Sequence, residues 1–166
     1  MGKKILVGYA TRYGSTAETA SFIGKILEKP GNLVDIRPIM DVNDPGSYDV
    51  IILGSPLYMG KWLVEARDFV HRYRHALQER PLYVFSCGYS LREQTDASLK
   101  SGEAALEAVR MYVNPADAAF FPGKVAMETL NPQDRAIATI GSTISGDYRN
   151  WEMVQAWAEK IRDLIR

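Results

Sequence analysis

Short, uninterrupted apolar runs, above all Ile5-Leu6-Val7 and Val50-Ile51-Ile52-Leu53, are separated by stretches in which apolar residues recur at helical spacing. A run apolar at every position suits a strand covered on both faces, and such strands belong to parallel sheets whose crossover helices lie above and below. This alternation limits the chain to a layered α/β architecture.

The periodicity predicts strands over Lys3 to Tyr9, Leu33 to Ile39, Tyr48 to Leu53, Leu82 to Ser86 and Ala118 to Val125. Helices are expected over residues 16–28, Leu63 to Leu77, Glu103 to Val113 and Trp151 to Ile165, with a short extra one over Pro132 to Ile140 capped by Asn131. Lys29-Pro30-Gly31-Asn32 supplies the first helix stop and Asn114-Pro115 another, while Pro122-Gly123 interrupts the last strand. No repeat, low-complexity segment or linker divides the 166 residues, so one domain over 1–166 is expected. In a doubly wound sheet, ligands sit beyond the carboxyl ends of the strands, which directs attention to the loops after strands one, three and four.

Composition narrows the chemistry. Twenty Lys and Arg balance twenty Asp and Glu, so no global basic field draws nucleic acid. Cys87 is the one cysteine, which excludes an intrachain disulfide and a Cys-rich metal centre and favours a reducing compartment, the cytoplasm. The opening Met-Gly-Lys-Lys-Ile-Leu-Val-Gly begins like a signal peptide, but its apolar stretch is cut at Arg12 and reads better as a strand. No apolar run approaches the roughly 18 residues that cross a bilayer.

The first loop reads Thr11-Arg12-Tyr13-Gly14-Ser15-Thr16 and runs straight into a helix. Helix-terminal amides, the macrodipole and the hydroxyls of Thr11, Ser15 and Thr16 make a phosphate cradle, although Ser15 or Thr16 could equally serve as a simple helix cap. Gly8 to Gly14 is one residue too long for a nucleoside-triphosphate loop and no Lys follows Gly14. The second loop, Gly54-Ser55-Pro56-Leu57-Tyr58-Met59-Gly60-Lys61-Trp62, places large apolar groups where strand ends are usually polar, which suits a flat aromatic ligand. It lacks the acidic residue that a receiver domain requires. The third, Ser86-Cys87-Gly88-Tyr89-Ser90, offers another ring wall; Cys87 stands one residue too close to Arg92 for a phosphatase loop and reads as an inert thiol. One phosphate and one large planar ring describe FMN better than ATP or NAD.

Strand, Thr-Arg-Tyr-Gly-Ser-Thr, helix, and then Gly54 to Gly60, resemble the flavodoxin pattern over essentially the whole chain. Gly146-Asp147-Tyr148-Arg149-Asn150-Trp151, with Val154 and Ala156-Trp157-Ala158, is similar to the C-terminal segment of the flavodoxin-like family that contains menaquinone-dependent protoporphyrinogen oxidase. The resemblance implies a five-stranded parallel sheet in the order 2-1-3-4-5 with helices on both faces, noncovalent FMN, and electron transfer or a small oxidoreductase activity. Its partner would be a redox protein or a small molecule, with quinone and porphyrinogen as one substrate pair. Residues 124–145 stand where that family carries an inserted helical stretch, and Met127 to Ser145 departs from the oxidase's more basic insert in having Arg135 as its one basic residue.

On this reading Thr11, Arg12, Tyr13, Gly14, Ser15 and Thr16 hold the phosphate. Pro56, Leu57, Tyr58, Met59, Gly60 and Trp62 line one side of the ring, with Met59-Gly60 beside its reactive nitrogen. Ser86, Cys87, Gly88 and Tyr89 form the other cofactor-binding loop, with Gly88-Tyr89 facing the pyrimidine edge. His71 and His75 share metal-ligand spacing, but Arg72 and Arg74 make them a solvated polar face. Asp147 and Arg149 contact ligand or cap the last helix. The alternative to a redox protein is a non-redox module that binds a partner through Tyr58 and Trp62.

Overall fold

A computed structural model describes residues 2–28 and 31–166. The elements run β1 Lys4–Tyr9, α1 Ser15–Leu27, β2 Leu33–Pro38, β3 Val50–Tyr58, β4 Lys61–Trp62, α2 Val64–Arg72, α3 Arg74–Gln78, β5 Leu82–Gly88, α4 Asp96–Ala105, α5 Glu107–Arg110, β6 Asp117–Pro122, β7 Lys124–Val125, α6 Pro132–Ile140, β8 Gly146–Asp147 and α7 Trp151–Leu164. The main sheet has the order β2-β1-β3-β5-β6, all parallel, so its five long strands follow the expected 2-1-3-4-5 succession. Short β4 folds back antiparallel on the end of β3, pairing Leu57 with Trp62.

The apolar runs divide their side chains between two cores, as the pleat requires. Leu6, Ile51, Leu53, Leu82 and Val84 point to one face and meet Phe69 and Val70 of α2, Leu77 of α3 and Val109 of α5. Ile5, Val7, Val50, Ile52, Tyr83 and Phe85 point to the other and meet Ala20, Ile23 and Leu27 of α1 with Val154, Trp157 and Ile161 of α7. Phe85, Phe121 and Trp157 form a triangle of tilted and edge-on rings, with centroids 5.7 to 6.1 Å apart.

Four expected elements come out differently. The third strand, expected over Tyr48 to Leu53, runs from Val50 to Tyr58, so Gly54 to Tyr58 extend the sheet before the chain turns. The single helix over Leu63 to Leu77 breaks at Tyr73, whose φ of −106° and ψ of 21° leave the helical basin, while the Arg74 guanidinium donates to the His71 carbonyl at 2.7 Å. The helix predicted from Glu103 starts at Asp96, because Thr95 and Ser98 form a reciprocal capping box, and it kinks at Leu106 between α4 and α5. The last strand ends at Pro122. Beyond it Gly123 donates its N–H to the Gly88 carbonyl at 3.0 Å, an approach so close that a Cβ there would press on the Gly88 backbone. Lys124–Val125 then pairs with Gly146–Asp147 as a separate two-stranded ribbon. The stop assigned to Lys29-Pro30 lies outside the described residues.

Candidate functional site

A cavity of about 350 Å³ opens beyond the carboxyl ends of β1, β3 and β5, where the topology places it. Arg12, Tyr13, Ser15 and Thr16 line it from the first loop; Pro56, Leu57 and Tyr58 from the second; Cys87, Gly88 and Tyr89 from the third. The fourth side is the insert, through Val125, Ala126, Thr129, Leu130, Asp134, Ile137 and Ala138.

The first loop is built to leave donors free. Thr11 turns its hydroxyl inward to accept from the Gly14 N–H at 2.9 Å. Gly14 is the N-cap of α1 with φ of 93°, a conformation glycine adopts without strain. No side chain caps the helix, so Ser15 and Thr16 lie inside it rather than ahead of it, and the first-turn amides have no intrahelical partner. The Ser15 hydroxyl oxygen is buried and has no hydrogen-bond partner. An uncapped N-terminus with an orphaned buried hydroxyl at a cavity wall fits a phosphate.

Beneath this loop the Cys87 thiol is 3% exposed and faces the hydroxyls of Thr16 and Thr19; burial pushes its pKa up to about 12, well away from a thiolate nucleophile.

The ring loops sort their residues by depth. Trp62 does not face the ligand side: it is 1% exposed, and its indole N–H donates to the Ser86 hydroxyl at 2.8 Å. The β3–β4 turn swings this ring inward, and Ser86 is the buried acceptor that satisfies it. Met59 and Gly60 form the tip of that turn, both with positive φ and both exposed, Met59 at 70%. Tyr58 and Tyr89 remain as the half-buried rings bordering the cavity. Tyr89 sits edge-on to Tyr148 at 5.4 Å and accepts from the Ile144 N–H at 3.3 Å, which ties the third loop to the insert.

Asp134 was not among the sequence candidates, yet it organises the site. It is 5% exposed and its carboxylate accepts four hydrogen bonds: from Arg12 Nε at 2.6 Å, Arg12 Nη2 at 3.0 Å, Tyr58 Oη at 2.6 Å and Tyr13 Oη. The Arg12 guanidinium holds the carboxyl well below the usual carboxylate range, and Asp134 in turn raises the Arg12 and Tyr58 pKa values. Arg12 thus spends its charge on this partner rather than reaching freely toward an anion. In sequence Asp134 looks like a first-turn acid after the Asn131 cap, and nothing there distinguishes it from a residue favouring the helix dipole.

Arg149 and Asp147 neither cap α7 nor reach the cavity. Asn150 is the cap, accepting from the Met153 N–H at 3.2 Å, while Arg149 pairs with Asp147 at 2.7 Å and Glu18 at 3.2 Å and stacks on Trp151. His71 lies edge-on to Tyr112 at 4.8 Å, and no group of residues suited to hold a metal ion exists among the described residues. Among these residues, too, no helix is long and apolar enough to cross a membrane.

Comparison with known proteins agrees with this architecture. Over 173 aligned residues the chain is 22% identical to protoporphyrinogen IX dehydrogenase (quinone) of Escherichia coli, covering 97% of this chain and 96% of that one. Among solved structures, oxidised flavodoxin 2 from Bacillus cereus superimposes with a TM-score of 0.63 at 23% identity, over 97% of this chain and 99% of that one. A flavoprotein from Lactobacillus acidophilus, solved in complex with FMN, superimposes at 0.54 and 14% identity over 72% of this chain and 93% of its own. Residues 6–149 match the family model described as a flavodoxin domain, and the chain belongs to that family.

Proposed function

We propose that this protein binds FMN noncovalently at the cavity and acts as a small oxidoreductase. The observation that carries the reading is the uncapped N-terminus of α1, with the orphaned Ser15 hydroxyl, opening onto the same space as Tyr58 and Tyr89. The amides of Arg12, Tyr13, Ser15 and Thr16 and the Ser15 hydroxyl hold the phosphate, with the α1 dipole behind them and the Gly14 N–H kept on Thr11. Pro56 and Leu57 give the ring an apolar floor, and Tyr58 and Tyr89 flank it and exclude water. Tyr58 keeps its proton, which is directed at Asp134. When bound, FMN supplies the electron chemistry, and the protein's part is binding, orientation and polarity.

Two features favour an enzyme acting on a small molecule over a carrier docking onto a protein. The insert walls the ring side of the cavity, and the equal numbers of acidic and basic residues give no long-range field to steer a charged partner. A porphyrinogen donor and a quinone acceptor are the first pair to assay, because the Escherichia coli relative carries both in its name. The lone buried thiol suits the cytoplasm. The burial of Trp62 removes half of the surface on which a non-redox binding module would rest.

The decisive experiment is reconstitution with FMN followed by desalting. Retained flavin absorbance at one equivalent per chain is expected, and its absence overturns the reading. Porphyrinogen oxidation with a quinone acceptor above the rate of free FMN is the expected second result; turnover no faster than free FMN makes the protein a carrier.

A further inference from the structure

Helix α6 is attached to the molecule in an unusual way. Of its nine residues only Asp134 is buried; Ile137 and Ala138 are half-covered and the rest are exposed, Ile140 at 86%. No other helix or strand packs extensively along it among the described residues. An element with so little buried apolar surface opens at low cost unless something else holds it. Here that is a single carboxylate gripping Arg12 and Tyr13 of the phosphate loop and Tyr58 of the ring loop. The Tyr13 hydroxyl also accepts the Asn131 N–H at 3.2 Å, so the cap and the third residue of the helix lean on the same loop.

The segment bearing α6 has a defined hinge. Its two ends meet in the β7–β8 ribbon, where Lys124 pairs with Asp147, and the Tyr148 N–H anchors this neck to the Gly123 carbonyl at 3.0 Å. Next to this neck the returning chain rests on Tyr89 through the Ile144 N–H.

We infer that α6 is a lid over the flavin site and that Asp134 is its latch, a positioning residue that joins the lid to two cofactor-binding loops at once. Opening exchanges the four hydrogen bonds of Asp134 for water and uncovers the cavity between Leu130, Ile137 and the ring loops. Closing restores the cation and the two phenols to the carboxylate and pins Tyr58 against the ring position. Cofactor and substrate pass when the latch is released, and the sheet and α1 stay as they are. The gating of cofactor rests on the FMN reading above, whereas the latch itself does not.

The test uses Asp134→Asn, which keeps the shape, removes the charge and turns an amide group toward donors that need an acceptor. In FMN-free protein, amide hydrogen exchange over residues 132–140 is expected to accelerate about tenfold with β1, β3, β5 and α1 unchanged. Arg12→Lys should accelerate the same amides to a lesser degree, and the double variant should exceed Asp134→Asn by little, since the two share the Arg12–Asp134 pair. In FMN-loaded protein, flavin release on dilution, followed by fluorescence, should also quicken about tenfold. Unchanged exchange over 132–140, or acceleration spread evenly over the whole chain, overturns the latch. Faster α6 exchange with an unaltered release rate overturns the gating. If the natural protein retains no FMN, the functional reading fails, and the exchange measurement still decides the latch.

Discussion

Helices α1 and α6 border the same cavity and are held by opposite forces. Helix α1 buries Thr16, Thr19, Ala20, Ile23, Gly24 and Leu27 against the sheet, whereas α6 buries a carboxylate and little else. Apolar burial is non-directional and spread over many contacts, so no single contact decides where α1 lies. A charged cluster is directional and concentrated, so α6 has one preferred seat and a short list of atoms that define it. The cavity therefore has a fixed wall that presents the amides and a wall that can be removed.

The contrast can be broken at several points. The largest effect concerns Cys87 on the fixed side. With its pKa pushed up to about 12, native-state labelling by a thiol reagent should run roughly a thousandfold slower than for a free thiol and recover when urea unfolds the chain. Fast labelling of the folded protein would show that the fixed wall opens.

Truncation of the two helices comes next. Ile23→Ala should cost about 3 kcal/mol in urea denaturation, because Ile23 is fully buried in the α1–sheet core, while Ile137→Ala on α6 should cost under about 1 kcal/mol. Equal costs would mean that α6 is packed as firmly as α1.

A smaller effect separates anion binding from folding. Ser15→Asp places a carboxylate at the first turn of α1, where the dipole welcomes it, so unfolding free energy should hold or rise while FMN affinity falls about thirtyfold by titration. Loss of affinity only in proportion to a loss of stability would count against the cradle.

The smallest expected effect is with pH. The folded pKa of Asp134 lies below its unfolded value of about 3.9, so its contribution is fully present above that pH and is lost as pH falls through the folded pKa. Between pH 7 and pH 5 the protection of α6 amides, corrected for intrinsic exchange, should not change. A fall in that window would show that the carboxylate is not held as described.

What was legible in the sequence follows the same division. The strands were readable because both faces of each are buried, which writes continuous apolar runs, and α1 and α7 because one face of each meets the sheet. Helix α6 was placed from Asn131 and Pro132, which act locally. Its seat was not readable, because Asp134 meets Arg12 and Tyr13 more than 120 residues away in sequence and a single polar contact leaves no periodic trace. Trp62 was misplaced for a related reason: an aromatic residue beside a glycine turn can face either way, and the buried Ser86 hydroxyl that takes its N–H decides the matter. The break at Tyr73 arises from local backbone geometry that apolar spacing does not encode.

The β7–β8 ribbon has a consequence for how such a chain can change. Residues 126–145 leave and rejoin the fold at adjacent positions, with Val125 paired to Gly146. A segment that departs and returns through one doorway can be shortened, lengthened or exchanged without altering the register of any long strand. Joining Val125 to Gly146 through a two-residue turn should leave the five-stranded sheet intact and the ring side of the cavity bare. The ribbon is thus a modular boundary, at which one scaffold can be given different walls and with them different substrates.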